Sequence, residues 1–159
     1  AAGTAITADR SPDAPPLTAL ACERGLTVVD ITSSRMLMAY GFLRRVFEVF
    51  ERYQTSVDVV TTSEVTVSVT IDDRRHLEGI TEALSEFAQV ALEPEMALLC
   101  AVGDRLRNEP AIAARTIGVL EEVPLRMISQ AASCRNITVI LRQADLPHAM
   151  HRLHEEFFG

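Results

Sequence analysis

Residues able to do chemistry are sparse in this chain, and their spacing favours binding over reaction. His148, His151 and His154 recur every three residues. Positions i and i+3 of a helix share a face, so two of these imidazoles could ligate Zn²⁺. No carboxylate or cysteine stands at a spacing that completes the set. The apolar Leu146, Met150, Leu153 and Phe157 share the same stretch at helical period. A polar stripe on an amphipathic helix is the plainer reading, and no metal is assigned. Cys22, Cys100 and Cys134 are odd in number, widely spaced and without a CxxC pair, as expected of reduced thiols in a cytosolic protein. Leu98, Leu99 and Val102 flank Cys100, and a thiol buried among such residues is inert. The chain has no GxSxG elbow, GxxxxGK phosphate loop or GxGxxG turn, and no catalytic residue is assigned.

Binding is better provided for. Gly41 stands where the chain turns into a helix, and its missing side chain lets a ligand approach the backbone. The free N–H groups of that helix start would accept a carboxylate. Asp58 and Glu64 would offer negative charge to an ammonium group. Together these features complement a zwitterionic amino acid. The competing reading makes Asp58 a solvated strand residue and Thr61-Thr62-Ser63-Glu64 a polar corner.

The elements that must position these groups follow from periodicity. Phe42, Leu43, Val46, Phe47, Val49 and Phe50 fall at helical spacing, predicting a helix over 41–53. After Thr55, Val57, Val59, Val65, Val67, Val69 and Ile71 alternate with polar residues, the mark of two strands around a corner. Residues 1–16 are rich in Ala, Thr and Pro and carry no period, so they read as a linker. Segments 17–23 and 26–31 read as two short strands broken at Arg24-Gly25. Asp72-Asp73 is the expected start of a helix carrying Leu77, Ile80, Leu84 and Phe87. Val90 and Leu92 then read as a short strand, and 97–102 as a buried one.

From Leu98 onward the pattern repeats at an offset of about seventy residues. The order and type of elements recur, each half reading β-α-β-β-α. The first half closes with its own strand at 90–94, whereas the second ends on its second helix. The expected fold is therefore α+β: two ferredoxin-like βαββαβ units, the first (26–95) inserted in the second (17–25 plus 96–159). The N-terminal strand is predicted to complete the second sheet, which would otherwise expose an unpaired edge.

Composition narrows the partners. A net charge of −7 makes nucleic acid and anionic membranes poor partners, and the absence of Trp argues against a base-stacking surface. No apolar run reaches the length of a membrane span. With 48% hydrophobic and 23% charged residues the chain has the make-up of a folded protein.

The stretch 36–72 resembles the first ACT domain of aspartate kinases, most of all the lysine-sensitive type. The resemblance is carried by Met36-Leu37, Tyr40-Gly41-Phe42-Leu43, Val46-Phe47, Ser56-Val57-Asp58-Val59-Val60 and Thr62-Ser63-Glu64-Val65. The second half is similar to the partner ACT domain through Ile128-Ser129-Gln130, Ala132-Ser133 and Arg135-Asn136-Ile137. Gly3-Thr4 and Ile6 resemble the end of the kinase domain. The resemblance implies a cytoplasmic, allosteric regulatory region that binds lysine at a homodimer interface for feedback inhibition. A threonine-responsive pair or a free-standing amino-acid sensor are the alternatives. It implies that ATP and Mg²⁺ belong to an attached kinase domain, and that the region alone is inactive. The implied effector contacts are Met36, Tyr40, Gly41, Phe42, Leu43, Ser56, Val57, Asp58, Thr62, Ser63 and Glu64. The sequence departs from the pattern at Met38-Ala39, and in the second unit, where Pro110-Ala111 replaces the turn glycine. That second unit is expected to be structural and to form the dimer interface.

Overall fold

Two long antiparallel strands, β1 (Leu17–Thr32) and β4 (Gln89–Gly103), run through both halves of the protein. They belong to a computed structural model that describes residues 17–33, 40–104, 106–130 and 135–159. The predicted linker 1–16 lies outside those residues. The expected break at Arg24-Gly25 is instead a bend within a continuous strand. Gly25 takes φ 79°, and Glu95 on the facing strand takes φ 59°. The β1–β4 register slips between Arg24 and Leu26. A left-handed residue re-aims a strand without ending its pairing, which is why turn-like residues here do not separate two elements.

The other strands are β2 (Val60–Thr62), β3 (Thr66–Ile71), β5 (Leu125–Gln130) and β6 (Asn136–Arg142), in the sheet order β2-β3-β1-β4-β6-β5. The C-terminal half of β1 pairs with β3, from Thr27 opposite Ile71 to Thr32 opposite Thr66. The N-terminal half pairs with the end of β4, from Leu17 opposite Gly103 to Arg24 opposite Ala97. The N-terminal strand thus completes the second sheet, as expected, and the fold is two ferredoxin-like units sharing one six-stranded sheet.

Helices α1 (Phe42–Arg52) and α2 (Leu77–Ser85) cover the first half, and α3 (Pro110–Gly118) and α4 (Leu146–Phe158) the second. Val29, Ile31, Val46, Phe50, Val69, Ile71, Ile80 and Leu84 form the first core. Ala97, Leu99, Leu120, Val139, Leu141, Leu146 and Leu153 form the second. A smaller cluster unites Leu26, Val28, Met96, Met127 and Ile140 with Val59. It joins first-unit residues to strands of the second, so the two half-sheets face each other there. β5 accordingly approaches β2.

Two elements differ from their periodicity. Asp72-Asp73 does not start α2, which begins after His76. Asp73 Oδ1 instead accepts from the Arg75 backbone N–H at 2.9 Å, and its carboxylate receives the Arg75 guanidinium at 2.8 Å. A local side-chain bond competes with helix capping, and the ion pair holds the Asp73 carboxyl down at about 2. β2 is shorter than the alternation from Val57 suggests. Before Val60, Val59 and Asp58 both bond to Thr70. The Thr70 N–H donates to the Val59 carbonyl at 3.0 Å and the Asp58 N–H to the Thr70 carbonyl at 3.1 Å. The Val59 N–H is diverted to the Thr70 hydroxyl at 3.0 Å, so the regular ladder is interrupted there.

Candidate functional site

Gly41 precedes α1 with φ 82° and ψ 10°, in the left-handed region that glycine enters without a Cβ penalty. Its carbonyl accepts from the Arg45 N–H at 3.1 Å, closing the first helical turn. Among the described residues no side chain caps this helix, which leaves its first N–H groups available to an anion. A Cβ built on Gly41 would meet nothing within 4 Å among the described residues. Among the described residues it is backbone conformation that demands this glycine, not crowding. The counterpart turn in the second unit is different. Glu109 caps α3 with φ −118°, and Pro110 opens the helix with no N–H to donate.

Around Gly41 the predicted contacts divide by role. Phe42 is buried, its ring edge-on to Phe87 at 5.9 Å. Tyr40 is fully exposed, and Leu43 is 41% exposed. Met36 lies outside the described residues, as do Met38 and Ala39. Thr62, Ser63 and Glu64 are exposed at the hairpin corner. There the Ser63 N–H donates to the Thr66 carbonyl at 2.8 Å, and the Thr66 N–H to Ser63 Oγ at 3.1 Å. The Ser33 N–H reaches the Val65 carbonyl at 2.8 Å, fastening the corner to the end of β1, the strand whose connection leads to Gly41. The helix start and the corner therefore share one end of the sheet.

Ser56, Val57 and Asp58 do not join them. Asp58 donates its N–H to the Thr70 carbonyl at 3.1 Å, placing it toward the other end of β3. Four residues of extended chain separate Asp58 from Thr62, about 13 Å. The expected pairing of Asp58 with Glu64 around one ligand is thus not made within a single chain. Burial first, then the charges of Glu23 and Asp72, push the Asp58 carboxyl above its ordinary value of 3.8. Glu23 and Asp72 escaped the sequence reading because only the bend in β1 and the end of β3 bring them close.

The histidines of α4 turn to separate neighbours. His148 faces Glu122 at 3.7 Å, His151 pairs with Glu155 at 3.4 Å, and His154 stacks on Phe158 at 5.5 Å. Among the described residues no group of three or more His, Cys, Asp or Glu side chains could hold a metal. Cys22 is exposed, and Cys100 Sγ lies 3.5 Å from the Thr138 hydroxyl, which can donate to it. Cys134 lies outside the described residues. Among the described residues no helix is long and apolar enough to cross a membrane.

Comparison with known proteins follows the same lines. An ACT-domain family model matches residues 99–157. Chloroplastic aspartokinase 3 of Arabidopsis thaliana is 37% identical over 169 aligned residues, covering 99% of this chain and 30% of its own length. The chain thus spans about a third of the curated relatives it matches. Among solved structures, one assigned as a C-terminal regulatory domain of aspartate kinase from Porphyromonas gingivalis W83 superposes with a TM-score of 0.80 and 39% identity. That match covers 89% of this chain and 97% of the other. E. coli aspartokinase III in complex with lysine and aspartate gives a TM-score of 0.84 and 32% identity, over 94% of this chain and 35% of that one. With that fold, and with a relative matched along nearly all of its length, the chain belongs to the family of aspartate kinase regulatory domains built from ACT units.

Proposed function

We propose that this chain is the lysine-binding regulatory region of an aspartate kinase, and that its effector site is completed by a second copy of the chain. The observation that carries this reading is the division of the site along one edge strand. Ser56, Val57 and Asp58 lie as many residues before Val60 as Glu64, Ser63 and Thr62 lie after it. Among the described residues β2 stands at the edge of the sheet, hydrogen-bonded to β3 on one side. Antiparallel pairing of two such edges about Val60 would set Asp58 of one copy opposite the corner of the other. Each of two equivalent pockets would then hold a helix start for the effector carboxylate and carboxylates for its ammonium groups.

The surface beside β2 supports that partner. Val60, Leu43 and Phe47 are 38%, 41% and 37% exposed. Arg45 lies over the Phe87 ring at 4.1 Å, on the α2 side of α1. Leu43 and Phe47, one turn apart, therefore project from the opposite flank, toward the β2 edge. The lysine complex of the E. coli relative supports the choice of effector.

In the parent enzyme the attached kinase domain would phosphorylate aspartate in the cytoplasm, using ATP and Mg²⁺ held outside this chain. Lysine would inhibit by binding one arrangement of the regulatory pair more tightly, and the coupling is reciprocal. Calorimetric titration with lysine and, separately, threonine, combined with sedimentation, tests the reading. A dimer that binds lysine is expected. Tighter binding of threonine would reassign the effector, and a chain that binds neither would overturn the proposal.

A further inference from the structure

Arg126 lies on β5, at the far edge of the sheet from β2, yet its guanidinium bonds two carboxylates of the first unit. Its Nε donates to Glu93 on β4 at 2.8 Å, and its terminal nitrogen to Asp30 on β1. The other oxygen of Asp30 accepts from the Ser68 hydroxyl on β3 at 2.5 Å. Asp30 faces Ser68 in the ladder, and Ser68 in turn faces Thr61 on β2, one residue before Thr62. One row of cross-strand neighbours thus runs from the second unit to the strand that carries the effector corner. The register slip between Leu125 and Met127 places Arg126 at the irregular point of its strand. A bulge re-aims a side chain in this way.

We propose that Arg126 is a positioning residue for the effector site: through Asp30 and Ser68, the second unit sets the register and rigidity of β2 in the first. The bidentate fork suits guanidinium better than ammonium, since it satisfies two carboxylates with fixed planar geometry. Asp30 bound on both oxygens has one orientation, and the β3 side of the β2–β3 hairpin is held by it. The unit without a glycine turn is then part of the site's machinery, because an effector that shifts β2 must also strain the Arg126 bond. This assignment rests on the proposed lysine site for its ligand readout and on backbone geometry alone for its second readout.

The test compares Arg126→Met and Arg126→Lys with Arg115→Met, which breaks the Arg115–Glu156 ion pair inside the second unit. Hydrogen exchange is followed at the Asp58 and Ser63 amides, which bond β3. Arg126→Met is expected to speed their exchange about fivefold with Arg126→Lys intermediate, while Arg115→Met leaves them unchanged. Lysine titration of the same proteins should show about fivefold weaker binding for Arg126→Met alone. Unchanged amide exchange in folded Arg126→Met would overturn the proposal. Faster exchange in a protein that does not bind lysine even as wild type would retain the positioning role and sink the effector assignment instead.

Discussion

In the first unit α1 begins from Gly41 in the left-handed region, with no side-chain cap among the described residues. In the second, α3 begins from Glu109 and Pro110, with one donor removed. The same βαββαβ plan therefore yields two helix starts of different backbone: one opened by a left-handed glycine with its donors intact, one opened by a proline that removes a donor. The difference lies in two backbone positions, and the packed cores beneath them are alike in kind. A duplicated fold can thus keep its architecture in both copies while the turns that open its helices diverge.

The largest test of this comparison concerns the cores. Phe50→Ala in the first unit should cost about 3–5 kcal/mol, and Leu120→Ala in the second about 2–5 kcal/mol, by denaturant unfolding. Since β1 and β4 run through both units, each substitution should lower the midpoint of one common transition. Two separate transitions would break the picture of units joined by shared strands. Next in size, Phe47→Glu places a charge on the exposed flank of α1 and should weaken dimerisation by about 2 kcal/mol in sedimentation. The equivalent change at Ile117 on α3, 37% exposed, should have little effect if the first unit provides the pairing surface. A larger effect at Ile117 than at Phe47 would assign the interface to the second unit, as the replaced turn glycine first suggested.

A sharper contrast comes from glycine. Gly41→Ala forces a Cβ into φ 82° and should destabilise by about 1 kcal/mol. Gly118→Ala, in open space at the end of α3, should stabilise by about 0.5 kcal/mol. Opposite signs in thermal unfolding are the expected outcome.

The smallest effect is electrostatic. Asp58 has its carboxyl raised above 3.8 in the fold, so the folded state holds that proton more firmly than the unfolded chain. Stability should therefore fall as pH rises from 3.8 through the raised value, and lysine affinity should rise over the same window as Asp58 ionises. Asp72→Asn removes one of the charges responsible and should shrink both slopes. An unchanged lysine pH profile in that variant would separate Asp58 from the effector's ammonium.

Much of this was legible in the residues. Alternating valines on either side of Thr61-Thr62-Ser63-Glu64 announced the β2–β3 hairpin, and Phe42, Val46, Val49 and Phe50 announced the buried face of α1. Gly41 marked the helix start because only glycine enters its conformation without cost. The short element β2, the late start of α2 and the continuity of β1 and β4 were not legible. Each turns on one side chain or one bend: Thr70 intercepting an N–H, Arg75 claiming Asp73, and Gly25 and Glu95 re-aiming strands.

The sequence by itself determined the two-unit plan, the buried faces and the glycine that opens α1, because periodicity and backbone conformation are local properties of residues. Only the tertiary structure decided that Asp58 and Glu64 stand at opposite ends of one edge strand, that Glu23 and Asp72 surround Asp58, and that Arg126 of one unit grips Asp30 of the other. Those relations depend on strand register and on how two half-sheets face each other. Both are set by the summed packing of residues far apart in the chain, which no single stretch encodes.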